Sequence, residues 1–203
     1  MNANKSSSIA IGLTAMLAFS PVATLAQATA FSGQAVALRA NAVGIALALS
    51  DTGPLPASGG NLKTSLVSVD VLGLVSADVL SGATSGSGTS SQSQASVAHH
   101  SLMSGLVAAD LVKSNSSATC SNGQAQVTGS SELVGLIVAG QPIVVVNPNV
   151  AISLPGGLSV IVNEQSGSPG GGNTGAMTVN VLHVTGPGVD IVVASTHSDI
   201  TCG

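Results

Sequence analysis

Residues 179–195 read Val-Asn-Val-Leu-His-Val-Thr, then Gly-Pro-Gly, then Val-Asp-Ile-Val-Val-Ala-Ser. Two runs of aliphatic and β-branched residues flank three residues suited to turning the chain, which is the pattern of a β-hairpin. The preceding segment repeats the design. Leu154-Pro155-Gly156-Gly157-Leu158 reads as a second hairpin tip between the runs Val150–Leu154 and Leu158–Val162. Val144–Val146 is a further short β-branched run, bounded by Asn-Pro. Residues 167–175 (GSPGGGNTG) read as a surface loop.

Upstream, period-two alternation carries the reading. Val36, Leu38, Ala40 and Ala42 alternate with more polar neighbours, and Ser65–Val71 and Ser91–Val97 do the same. Residues 102–113 admit two readings. Leu102, Leu106 and Ala109 would share one face of a helix, but Gly105 lowers helix stability there. The corresponding later segment contains Pro142 and β-branched residues, which favours a strand. A short motif also recurs about every 30 residues, a spacing that marks repeat architectures. Val43-Gly44-Ile45-Ala46 returns as Leu72-Gly73-Leu74-Val75, Ser104-Gly105-Leu106-Val107 and Val134-Gly135-Leu136-Ile137. The expected fold is all-β, an antiparallel β-sandwich or flattened barrel with weak internal repeats. A β-solenoid built from the repeat units is the alternative.

Composition narrows the function. Only 6% of the 203 residues are charged and 1% are aromatic, against roughly 25% charged in ordinary domains. Val, Leu and Ile must therefore supply nearly all the buried apolar area, which predicts thin layers without large aromatic anchors. The net charge is −4. Beyond the first 30 residues the cations are Arg39, Lys63 and Lys113, too few and too dispersed to neutralise a phosphate backbone or an anionic membrane. No nucleic-acid partner is expected.

The chain opens like a secretory leader. Lys5 gives a positive start, Ile9–Phe19 an apolar stretch, and Pro21 and small residues follow. Residues 1–30 are read as a signal peptide, cleaved after Ala26 or Ala30, and residues 31–203 as a single exported β domain. Residues 66–80 contain Asp70 and Asp78, and residues 143–162 are broken by prolines and glycines, so no transmembrane segment is expected after cleavage. The sequence stops at Thr201-Cys202-Gly203 without a hydrophobic tail, and the mature protein is expected to be released outside the cell, or into a periplasm. Cys120 and Cys202, the two cysteines, are expected to pair there. Their contexts, Ala118-Thr119-Cys120 and Ile200-Thr201-Cys202, suggest two neighbouring strands.

Candidate chemistry is sparse. His183 and His197 lie on the arms of the Gly-Pro-Gly hairpin and, with Asp190 or Asp199, are the candidates for a metal site. His99 and His100 are adjacent and point to opposite faces of a strand. There is no G-x-S-x-G elbow and no Ca²⁺-binding loop. Neither an enzymatic role nor a cofactor is expected. Asp70, Asp78, Asp110 and Asp190 read as charges at strand ends or edges.

Several segments together resemble the choice-of-anchor P family of exported bacterial proteins. They are Val71–Leu80, Ala118–Cys120, Ser130–Leu136, Asn163-Glu164-Gln165, Val179–Val184 and Asp190–Ile200. The resemblance implies an extracellular domain that related proteins join to differing surface anchors. It carries over no catalytic residue. The sequence thus points to a non-enzymatic secreted or cell-surface domain, structural or adhesive, acting on an unidentified extracellular component. Two alternatives stand beside it: a metal-dependent hydrolase using His183 and His197, and a polysaccharide- or ice-binding module that would require a long, regular Ser/Thr face.

Overall fold

Small and β-branched side chains in alternation favour extended backbone, and the chain takes that form almost throughout. The computed structural model describes residues 29–203 apart from 43, 72 and 169. Nearly all of the proposed leader therefore lies outside the described residues. Fifteen strands follow in order: β1 (Ala30–Ala42), β2 (Ile45–Asp51), β3 (Gly60–Leu66), β4 (Val69–Val71), β5 (Val75–Ala77), β6 (Val79–Ser87), β7 (Ser90–Leu102) and β8 (Val107–Ser121). Then come β9 (Gln124–Val134), β10 (Ile137–Val138), β11 (Gln141–Pro142), β12 (Val150–Leu154), β13 (Leu158–Ser168), β14 (Thr174–Gly186) and β15 (Val189–Thr201).

The strands form two antiparallel sheets. The six-stranded sheet runs β12-β13-β14-β15-β1-β2. In the nine-stranded sheet β3-β6-β7-β8-β9 forms the broad part, and β5 with β4 and β10 with β11 extend the far ends of β7 and β8. β1, β14 and β15 pack over β6 to β9, an open sandwich rather than a barrel or a solenoid. Both expected hairpins are present. Val150↔Val162 pairs β12 with β13 across a 3₁₀ turn at Pro155–Gly157, and Gly186↔Val189 closes β14 on β15. The 102–113 segment is strand, turn, strand rather than helix.

Three expectations need correction. The recurring glycines do not mark the coils of a solenoid. Gly44, Gly73 and Gly105 sit in the β1–β2, β4–β5 and β7–β8 turns, and Gly135 follows β9, all at positive φ where a Cβ is strained. Residues 144–146 are not a strand, and Val144 and Val146 are 90% and 83% exposed. The cysteines do lie close, but they do not belong to neighbouring strands of one sheet. Cys120 is on β8 and Cys202 follows β15, so the disulfide ties one sheet to the other, with a Cα–Cα distance of 5.7 Å.

The interior has two halves. One is apolar, packed from Leu38, Leu80, Leu102, Val107, Leu182 and Ile191. The other is a hydroxyl zipper in which each sheet bonds directly to its opposite. Ser91 Oγ donates to the Ser32 carbonyl at 2.5 Å, and Ser93 Oγ to the His197 carbonyl at 2.8 Å. Ser116 and Ser198 share a bond of 3.0 Å. Such contacts bring the layers closer than the usual ~10 Å between stacked sheets. Gly33 shows how close: a Cβ there would lie 2.5 Å from Thr84 Oγ1 and 2.8 Å from Ser91 Oγ. The disulfide, Phe31, Ala118, Ala125 and Ile200 cap this half.

Between the halves the inward-facing positions change parity. On β15, Ile191 and Val193 face inward, then Thr196, Ser198 and Ile200. The switch falls at Ala194, with φ at 52°, where pairing to both β1 and β14 skips a residue. His99 (φ 46°) does the same on β7, so that Val97 and His100 both face the core. His100 is 2% exposed, and neither of its ring nitrogens has a hydrogen-bond partner. Burial lowers its pKa from 6.5 to about 4.

Candidate functional site

The metal candidates sit on the outer face of the six-stranded sheet, in two separate groups. His183 on β14 places Nδ1 at 3.0 Å from Glu164 Oε2 on β13 and Nε2 at 3.2 Å from Asp190 Oδ1 on β15. His197 on β15 places Nδ1 at 2.9 Å from Thr178 Oγ1 and Nε2 at 2.9 Å from Asp199 Oδ2. His183 is paired with Val192, five positions along β15 from His197. At about 3.4 Å per residue the two imidazoles stand roughly 17 Å apart. The hairpin thus brings His183 to Asp190 and His197 to Asp199 but does not unite the four. Among the described residues no group of three or more His, Cys, Asp or Glu side chains is arranged to hold a metal ion.

Further side-chain bonds lie on this face, and Arg39 and Asn41 on β1 stand exposed beside them. Asn180 Nδ2 donates to Glu164 Oε2 at 2.6 Å, and Ser195 Oγ donates to Asn180 Oδ1 at 2.7 Å. Gln34 Nε2 donates to Asp51 Oδ1 at 2.8 Å. Apart from His197–Asp199, which runs along β15, each link joins neighbouring strands, so the bonds read as cross-strand stabilisation of the sheet. Glu164 is not one of the four metal candidates. Its place beside His183 depends on the β13–β14 register, in which Glu164 pairs with Asn180.

The outer face of the nine-stranded sheet is different. Five strands align their outward residues in transverse rows. The first is Asn61, Ser85, Gln92, Ser117 and Thr128. The second is Lys63, Ala83, Gln94, Asn115 and Ser130, and the third is Ser65, Ser81, Ser96, Lys113 and Glu132. The rows span about 19 Å across the strands and repeat every ~7 Å along them. The first two rows line a trough of about 310 Å³, and the volume continues along β3 and β6 on both sides. Three side-chain bonds cross this surface: Ser81 to Ser96, Ser117 to Thr128, and Lys113 to Glu132. The side chains of Asn61, Lys63, Gln92, Gln94 and Asn115 make no hydrogen bond to another described residue. The alternation of Ser91–Val97 is visible in the sequence, whereas the register that brings five strands of such residues together is not.

Among the described residues no helix is long and apolar enough to cross a membrane. The strands and the Cys120–Cys202 link define a class, an all-β two-sheet sandwich with its layers joined by a disulfide. No family model, no curated protein and no solved structure matches the chain.

Proposed function

We propose that the protein is an exported, non-enzymatic structural or adhesive module that works at or outside the cell surface. The observation that carries this reading is the contrast between its two outer faces. The histidines and acids that are candidates for chemistry are engaged with neighbouring side chains of the sheet, in two groups too far apart to act together. The other face offers amides and hydroxyls with no partner inside the described residues. That is a surface for binding, with no activated nucleophile or general base at its centre.

Export is supported by the residues 1–30 pattern and by the disulfide, which is stable in an oxidising exterior and not in a reducing cytosol. The resemblance to the choice-of-anchor P family agrees with a surface location. The test is fractionation of a bacterial host expressing the full chain. We expect the protein outside the inner membrane, with its mass reporting cleavage after Ala26 or Ala30 and its thiols blocked to alkylation. Deleting residues 1–26 should hold it in the cytoplasm. Recovery of the full chain in the cytoplasm with free thiols would overturn the reading.

A further inference from the structure

We propose that the trough on the outer face of β3-β6-β7-β8-β9 is a binding site for a glycan chain, read by its sugar hydroxyls. The inference rests on the reading of the protein as an exported binding module, since glycans are partners met outside the cell.

Each kind of partner makes its own demand on a surface. A protein partner buries an apolar, aromatic-rich centre. In the first two rows only Ala83 is apolar, and no aromatic side chain is present. A nucleic acid requires a track of cations. The trough holds Lys63 alone, and Lys113 in the third row is bonded to Glu132 at 3.0 Å. Drug-like apolar ligands need a greasy cavity, and this one is lined by Asn, Gln, Ser and Thr. An ice plane calls for a regular Ser/Thr ladder, and these rows mix Asn, Gln, Lys and Ala with their hydroxyls. A polyhydroxylated chain remains. Amide side chains present a donor pair and an acceptor together, which matches hydroxyls that both give and take hydrogen bonds. Asn61, Gln92, Gln94 and Asn115 supply that chemistry in two adjacent rows.

The opposite sheet supplies an internal comparison. Of its amides, Gln34 and Asn180 are held by Asp51, Glu164 and Ser195 within the fold, and Asn41 stands exposed by itself near the end of β1, apart from any cluster. The trough amides are held by nothing among the described residues. Without an aromatic ring to stack on a sugar, each row binds weakly, and affinity comes from repetition along the chain. Lys63 is the one point that would tell a uronate-bearing chain from a neutral one.

The experiment is affinity electrophoresis of the mature protein in native gels containing hydroxyethylcellulose (neutral) or alginate (uronate), against a polymer-free gel. We expect retardation in at least one polymer. The Gln94→Ala/Asn115→Ala variant should need at least tenfold more polymer for the same retardation. Asn41→Ala, on the exposed outer face of β1, should behave as wild type. Loss of retardation in alginate on Lys63→Gln assigns an acidic glycan, and its persistence assigns recognition to the hydroxyls; either supports the site. Far-UV circular dichroism and blocked thiols confirm that each variant is folded. No retardation in either polymer, or retardation unchanged in the double variant, overturns the proposal. An exported, oxidised protein that fails this test leaves the broader reading standing, whereas cytoplasmic retention removes that reading whatever the gels show.

Discussion

His100 is a neutral imidazole in a place where a charged one cannot be solvated, and replacing it by leucine tests the packing of the sandwich quantitatively. The ring is 2% exposed with both nitrogens unpartnered, and burial alone lowers its pKa from 6.5 to about 4. The folded state therefore resists a proton that the unfolded chain accepts. Stability is fully present above pH 6.5 and falls as pH drops toward 4, because in that window only the unfolded chain binds the proton. At 1.36 kcal/mol per pKa unit the loss reaches about 2 kcal/mol by pH 5 and about 3 kcal/mol near pH 4. His100→Leu removes the titrating group and two unsatisfied buried polar atoms at similar volume. It should stabilise the protein by about 1 kcal/mol or more at pH 7.5. Guanidinium unfolding of both proteins at pH 7.5, 5.5 and 4.5, with the disulfide intact, gives the comparison. The gap between variant and wild type should widen by about 2 to 3 kcal/mol over that range. A constant gap would refute the reasoning, since carboxylate titration is common to both proteins.

Three further perturbations probe separate parts of the fold. Converting Cys120 and Cys202 to serine opens a link with a sequence separation of 82 and should cost about 4 to 5 kcal/mol in unfolding free energy on the chain-entropy account, read by denaturant melts. Gly33→Ala should cost roughly 1 to 3 kcal/mol, because the added methyl meets Thr84 and Ser91 where the sheets are closest. Ala139 and Gly140 join β10 to β11 with both residues at positive φ, as Asn122 and Gly123 join β8 to β9. Ala139→Asn gives the first turn the residues that suit it and should raise the melting temperature by about 2 to 4 °C, equivalent to roughly 0.5 to 1 kcal/mol.

The class of fold was legible because aliphatic alternation and Pro-Gly turns act locally. Val150–Leu154 and the Gly186-Pro187-Gly188 hairpin appear where their residues placed them. The parity change was not legible. Ile191–Thr196 is buried at every position, which strict alternation forbids. Its cause is a left-handed residue at Ala194, and alanine carries no signature of that conformation. His99 and Ser50 hide the same device. The disulfide pairing followed from there being two cysteines in an exported chain. That it joins opposite sheets follows from tertiary packing, which strand patterns do not encode. The trough was hidden for a related reason: Gln92, Ser117 and Thr128 are distant in sequence, and only the β7–β8–β9 register aligns them.

A direct test of the central claim, that one face of the sandwich is left open to meet a partner, is a nuclear magnetic resonance titration. Isotope-labelled mature protein would be titrated with oligosaccharides cut from whichever polymer retards it. The side-chain amide signals of Asn61, Gln92, Gln94 and Asn115 should shift together and saturably, while those of Gln34 and Asn180 stay fixed. Shifts centred on the His183 and His197 groups, or none on either face, would contradict it.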